Sequence, residues 1–168
     1  MNSLKIALDI DQTIADFLNP YFSRFGQPKN DYEITKNVFR KLRFDKEFWT
    51  NLPVLDNIQF IPEMYCTKRV NPKSYTKEWL KKYKFPTRPI YQMYYQYGNK
   101  ADIIKGRCDV LIDDSISNVK MAINSGLPAL LITRPHNENE NFRFRINSLD
   151  IEEIRLAYEL EKYILKWN

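Results

Sequence analysis

Two pairs of aspartates stand out by type and spacing. Asp9-Ile10-Asp11-Gln12-Thr13 sets two carboxylates two residues apart at the end of a short apolar run. In an extended segment both side chains share one face. One can attack a phosphorus atom while the other handles protons. Asp113 and Asp114 close a second apolar run, Val110 to Ile112. Bare carboxylates repel a phosphate, so such chemistry needs a divalent cation, and Mg²⁺ suits oxygen ligands beside a phosphate. Two more residues fit. Thr67 ends a third apolar run, where its hydroxyl and the local amides can hold a phosphate oxygen. Lys100, with Lys105 as its rival, can neutralise an attacking carboxylate and a transferring phosphoryl group.

Scarce residue types exclude other chemistries. His136 is the only histidine, which rules out paired-histidine metal sites. Gly26, Gly98, Gly106 and Gly126 are too scattered for a Walker loop or a dinucleotide fingerprint. Cys66 and Cys108 are too few for a disulfide framework or a zinc ribbon, and point to a reducing, cytoplasmic setting. The longest apolar run, Leu127 to Ile132, is far short of the about 20 residues a membrane span needs. Asp9 interrupts any signal-peptide core near the start. The net charge of +5, from 26 basic and 21 acidic residues, favours anionic partners: phosphate esters, nucleotides or nucleic acid. The excess is uneven, with Glu78 the only acid between Lys68 and Arg88.

The elements that must position these residues follow from apolar runs and helix signals. A chain of 168 residues fits one domain. Strands are expected at Leu4 to Ile10, Phe60 to Cys66, Pro89 to Tyr94, Val110 to Ile112 and Leu127 to Ile132. Helices are expected from Asn71-Pro72 to about Lys84, from Lys100 to Lys105, from a Ser115 cap to Asn124, and from about Asp150 to Lys166. Gly126 suits the stop of the third. Alternating strands and helices predict an α/β domain with a parallel sheet, apolar throughout its strands and binding ligands at their carboxyl ends. The segment 14–59 breaks this rhythm. Phe17, Tyr21, Phe22 and Phe25 lie on helical spacing, which predicts a small helical insertion sitting as a lid over the strand ends. Phe17, Phe22, Phe48 and Trp49 are candidates for a base-stacking pocket. The tyrosines at 91, 94, 95 and 97 read as core and edge packing, and His136 as a loop residue.

The order D-I-D-Q-T, Y-C-T, N-K-A-D and V-L-I-D-D-S-I-S-N resembles the four motifs of the haloacid dehalogenase (HAD) superfamily of phosphatases, over Leu4 to about Pro135. Within it the chain is most similar to the 5′(3′)-deoxyribonucleotidase family. The helical insertion between the first two motifs, the segment Glu47 to Pro53, and Asp113-Asp114 in place of Gly-Asp carry that likeness. The resemblance implies a Rossmann-like three-layer fold with a central parallel sheet and a small helical cap. It implies Asp9 as a nucleophile forming an aspartyl-phosphate, and Asp11 as the acid and then the base. Mg²⁺ would be held by Asp9, the backbone carbonyl of Asp11 and Asp114, with Asp113 acting through a water. Asn118 would orient this cluster; Thr67 and Lys100 would bind the phosphoryl group. Gln12 departs from the family, which usually has Gly there. Lys68 and Arg69, after Thr67, can reach a phosphate or a longer polyanion.

The expected activity is Mg²⁺-dependent hydrolysis of nucleoside 5′-monophosphates, deoxy forms foremost. The basic stretch and Gln12 motivate a rival, a phosphatase of a nucleic-acid end or a phosphoprotein. A third reading is a nucleotide-binding module without turnover. The expected partner is a small-molecule nucleotide, with nucleic acid second, no membrane, and a monomer or homodimer.

Overall fold

The computed structural model describes residues 3–93 and 98–165. Among them six strands form one sheet: β1 (Ile6–Leu8), β2 (Met64–Thr67), β3 (Ile90–Gln92), β4 (Val110–Asp113), β5 (Ala129–Ile132) and β6 (Arg145–Ile146). Every pairing is parallel, in the order β3-β2-β1-β4-β5-β6. The helices are α1 (Leu18–Phe25), α2 (Asp31–Asn37), α3 (Lys46–Thr50), α4 (Lys73–Lys82), α5 (Lys100–Ile104), α6 (Ile116–Asn124) and α7 (Ile151–Leu165), with a π-helical turn at Val38–Leu42. None is long and apolar enough to cross a membrane among the described residues.

Strand periodicity builds the layers. Side chains alternate between the faces of a sheet. Ile6, Leu8, Tyr65, Val110, Ile112, Leu130 and Ile132 pack on one face with Trp79 and Leu80 of α4 and Ile154 of α7. Ala7, Met64, Cys66, Leu111, Ala129 and Leu131 pack on the other with Ala101 and Ile104 of α5 and Val119 and Ala122 of α6. The result is an α/β fold of three layers, Rossmann-like in its strand order. That order reverses between β1 and β4, and the cleft at the carboxyl ends of those two strands is where such a sheet places ligands.

Four of the strands are shorter than the apolar runs, while β4 runs one residue further, to Asp113. β2 begins at Met64 rather than Phe60, and β3 ends at Gln92. Tyr94, Tyr95, Tyr97 and Lys166, part of the expected third strand, tyrosine cluster and last helix, lie outside the described residues. β6 was not anticipated: two residues are too few to carry a period, and Arg145 interrupts the apolar pattern.

The chain between β1 and β2 is helical, holding α1, α2, the π-helical turn and α3. Its ends are stitched together. Ala15 pairs antiparallel with Val54, Asp16 N–H donates to Pro53 O at 2.8 Å, and Leu55 N–H to Ile14 O at 2.9 Å. Trp79 of α4 ties it to the sheet domain by donating from its indole N–H to Leu52 O at 2.8 Å.

Candidate active site

β1 delivers Asp9 to the cleft. The ladder runs one residue past the strand, Asp9 N–H donating to Ile112 O at 3.0 Å. The chain then turns sharply, with the N–H groups of Ile14 and Ala15 both on Ile10 O at 2.9 Å. Gln12 takes φ 58 in this turn, a left-handed conformation that costs least for glycine. That is the physical reason a glycine suits the position. Gln12 is held there by Nε2 donating to Asp16 Oδ1 at 3.3 Å. Arg134, just past β5, braces the turn: its Nε donates to Gln12 O at 2.9 Å and a terminal nitrogen to Thr13 O at 2.6 Å.

β4 delivers Asp113 and Asp114 beside it. One carboxylate oxygen each of Asp9, Asp113 and Asp114 lie within 4.8 Å of one another. Lys100, at the start of α5, joins two of them. Its ammonium donates to Asp9 Oδ1 and, at 2.6 Å, to Asp113 Oδ2. Lys100 is 2% exposed and Asp113 fully buried. Burial alone would push the ammonium's pKa down, but Asp113 and Asp9 outweigh it and hold the lysine charged. Burial pushes the Asp9 carboxyl well up; Lys100 opposes this, and Asp113, Asp114 and Asp11 add to it. Burial also raises Asp114, against a hydrogen bond from His136. The site therefore carries more negative charge than one lysine offsets.

Asn118, on α6, orients Asp113. Its Nδ2 donates to both Asp113 oxygens, at 3.0 and 3.2 Å, while its Oδ1 accepts from Lys68 Nζ at 2.8 Å. Ser115 caps α6 as its position suggests, accepting from Asn118 N–H, and its own N–H donates to Asp113 Oδ1 at 3.0 Å. Burial and the charge of Lys100 lower the pKa of Lys68. Thr67 closes β2 with its Oγ1 buried and without a hydrogen-bond partner. Thr13 Oγ1 donates to Asp9 Oδ2 at 3.4 Å.

Asp11 stands apart from the three-carboxylate group. Arg69 grips it, with Nε 3.0 Å from both carboxylate oxygens and a terminal nitrogen 2.7 Å from Oδ1. The two aspartates of the first pair thus have different partners, despite the shared face expected of an extended segment; the turn at Gln12 separates them. Lys105 is not in the site. Its ammonium donates to Ser125 O at 2.8 Å, at the end of α6.

The expectation of base-stacking rings needs correction at Trp49 and Phe17. Trp49 is 2% exposed, its indole N–H is spent on Leu42 O at 2.8 Å, and its ring stacks on Phe17 at 5.8 Å. Phe48 meets both edge-on, at 5.9 and 5.3 Å. Phe22 is half-buried against Tyr21. Trp49 and Phe17 form the core of the insertion rather than a base platform, packed in one cluster with Tyr21, Leu42 and Leu52. A cavity of about 320 Å³ there is lined by Pro20, Arg24, Asp45, Glu47, Phe48 and Asn51, none from the carboxylate cluster.

Like Arg134, two residues that touch Asp114 were not singled out as site residues from the sequence. His136 Nε2 lies 2.9 Å from Asp114 Oδ2, and Asn137 Nδ2 donates to Asp114 O at 2.8 Å. Their signal was position: both follow β5, the neighbour of β4. Cys66 and Cys108 are buried thiols pushed up to about 12 by burial, so neither is a nucleophile.

Searches against protein-family models and curated proteins return no match for this chain.

Proposed function

We propose that the protein is a Mg²⁺-dependent phosphomonoesterase of the HAD type, hydrolysing nucleoside 5′-monophosphates through an aspartyl-phosphate. One observation carries the reading: Lys100 bridges Asp9 and Asp113 inside a cluster of three carboxylates at the sheet's switch point.

The donor set fits Mg²⁺. It is all oxygen, it holds excess negative charge, and it is backed by orienting hydrogen bonds from Asn118 and Ser115. Asp9, Asp113 and Asp114 would hold the ion, with the Asp11 carbonyl as the family resemblance implies. The ion would offset the repulsion between these carboxylates and a phosphate.

Asp9 attacks phosphorus with a carboxylate oxygen. The bond to the nucleoside oxygen breaks, and Asp11 gives that oxygen its proton. Asp11 then takes a proton from the water that attacks the aspartyl-phosphate, which frees phosphate and restores Asp9. Lys100 stabilises Asp9 as the nucleophile; the Thr67 hydroxyl and Lys68 are the groups next to it that can hold phosphate oxygens.

Phosphate release from nucleoside 5′- and 3′-monophosphates and an aryl phosphate, with Mg²⁺ and with chelator, tests this. Turnover that chelator removes and Asp9→Asn abolishes is expected. Turnover by Asp9→Asn at the wild-type rate overturns it.

A further inference from the structure

A second cavity, of about 250 Å³, opens beside the carboxylate site, with Arg69 in its wall and forked on Asp11. Its lining is cationic: Arg43, Arg69 and Lys73, with no carboxylate among the lining residues. Asn71, Gln92 and Phe44 complete the polar and aromatic wall. Resting on the phosphatase reading, we propose that this cavity binds a second phosphate group of the substrate, so that the preferred substrate is a nucleotide carrying two phosphates rather than one.

Two buried polar atoms point to a ligand. The Arg69 side chain has no exposure, two of its nitrogens are used on Asp11, and its third, a terminal guanidinium nitrogen, has no hydrogen-bond partner, the guanidinium lying against the Trp49 and Trp79 rings. Asn71 is 2% exposed, and its Oδ1 has no partner. Its amide cannot simply be turned over, because Nδ2 donates to Pro72 O at 3.1 Å, and a turned amide would set its oxygen against that carbonyl, which already accepts from Tyr75 N–H. Leaving such groups unmet is costly in a buried site. A phosphate oxygen meets the arginine, and a sugar hydroxyl or base N–H next to it meets Asn71.

The rim agrees. Pro72 and Lys73 bring the first turn of α4 to the cavity, and a helix N-terminus favours an anion. Phe44 is 70% exposed with the Arg43 guanidinium 5.1 Å from its ring centroid, the pairing of cation and open ring on which nucleic-acid bases stack. At this size the cavity takes a phosphate and part of a sugar or base, not a second whole nucleotide.

The second phosphate has two sources, a phosphodiester in a strand or a second monoester on one nucleoside. The test compares a nucleoside 5′-monophosphate, a nucleoside 3′,5′-bisphosphate, and dinucleotides with a terminal 5′- or 3′-phosphate, in wild type and Lys73→Gln, over a salt series. Lys73 is exposed, so this variant is expected to fold. Binding of the same compounds to Asp9→Asn is measured in parallel. The expected result is kcat/KM at least about tenfold higher for the two-phosphate substrates, with a steeper salt dependence and with that ratio reduced by Lys73→Gln. Dinucleotides above the bisphosphate identify a strand end; the reverse identifies a free bisphosphate. Hydrolysis of all compounds with equal kcat/KM overturns the cavity proposal and leaves the phosphatase reading standing. No hydrolysis of any, with Lys73-dependent tighter binding of two-phosphate compounds, overturns the phosphatase reading and supports the cavity.

Discussion

Arg69 holds Asp11 by both carboxylate oxygens while its guanidinium carbon lies 5.3 Å from the ring centroid of Trp49 and 5.6 Å from that of Trp79. The fork orients Asp11 as an acceptor through both oxygens, which suits the base half of its proposed role, and the rings fix the fork. A planar guanidinium can do both; an ammonium is a point charge and can do neither. Giving a proton requires one oxygen to leave the fork.

The leaving group should expose this. A nucleoside oxygen needs a proton to depart, whereas an aryl oxide leaves readily without one. Asp11→Asn is expected to lower kcat on nucleoside monophosphates by about 10²–10⁴-fold, and less on an aryl phosphate. Arg69→Lys should show the same leaving-group sensitivity, weaker, because Asp11 remains but loses its orientation. Rates on both substrate types for both variants give the answer. Equal losses on the two types would remove Asp11 from the proton transfer.

Lys100 should behave as a buried counter-ion as much as a phosphate ligand. Lys100→Met leaves Asp9 and Asp113 facing each other without it, and removing one partner of a buried pair costs about 3–5 kcal/mol. A divalent ion in the cluster would repay part of that cost. Thermal melts with Mg²⁺ and with chelator should therefore show a larger Mg²⁺-dependent rise in Tm for the variant than for wild type. No rise in either protein would count against a metal in this cluster.

The site residues were legible because strands buried on both faces read as unbroken apolar runs, and a polar residue closing such a run sits at a strand end. Asp9, Thr67 and Asp113 follow from that rule alone. Asn118 was reached through the family resemblance, and its role is set by one turn of α6 bringing it back to Asp113. Arg69, Arg134 and His136 were out of reach as partners. Each meets a residue distant in sequence, Arg134 and Thr13 being 121 residues apart, and only the closed sheet decides those pairings. The aromatic residues misled for a different reason. Helical spacing of rings is the same whether they face a ligand or one another, and Trp49 and Phe17 face one another.

Trp49 should therefore report on stability and not on substrate. Trp49→Phe removes the indole donor and leaves Leu42 O without that bond, which costs about 1–3 kcal/mol. A lower Tm is expected, with the relative KM values of the nucleotides unchanged within about twofold. A change in the ranking of bases without a fall in Tm would return Trp49 to the substrate pocket.

Glu161 gives the fold a pH dependence independent of the candidate site. On α7, its Oε1 accepts from Ala129 N–H at 2.9 Å, while its buried Oε2 has no partner. Burial pushes this carboxyl up from 4.5 to about 7, against the Ala129 hydrogen bond. Between those values the folded protein keeps a proton that the unfolded chain has lost, so stability falls as the pH rises through the window. Below the window the group costs nothing through ionisation; above it the cost is full, about 3 kcal/mol at 1.36 kcal/mol per pKa unit. Glu161→Gln keeps an acceptor for Ala129 and cannot ionise. Melts of both proteins from pH 4.5 to 8 should coincide most closely at the acid end and diverge upward, the variant ending about 5–10 °C higher. Parallel curves across that range would show that Glu161 ionises no differently in the folded and unfolded states.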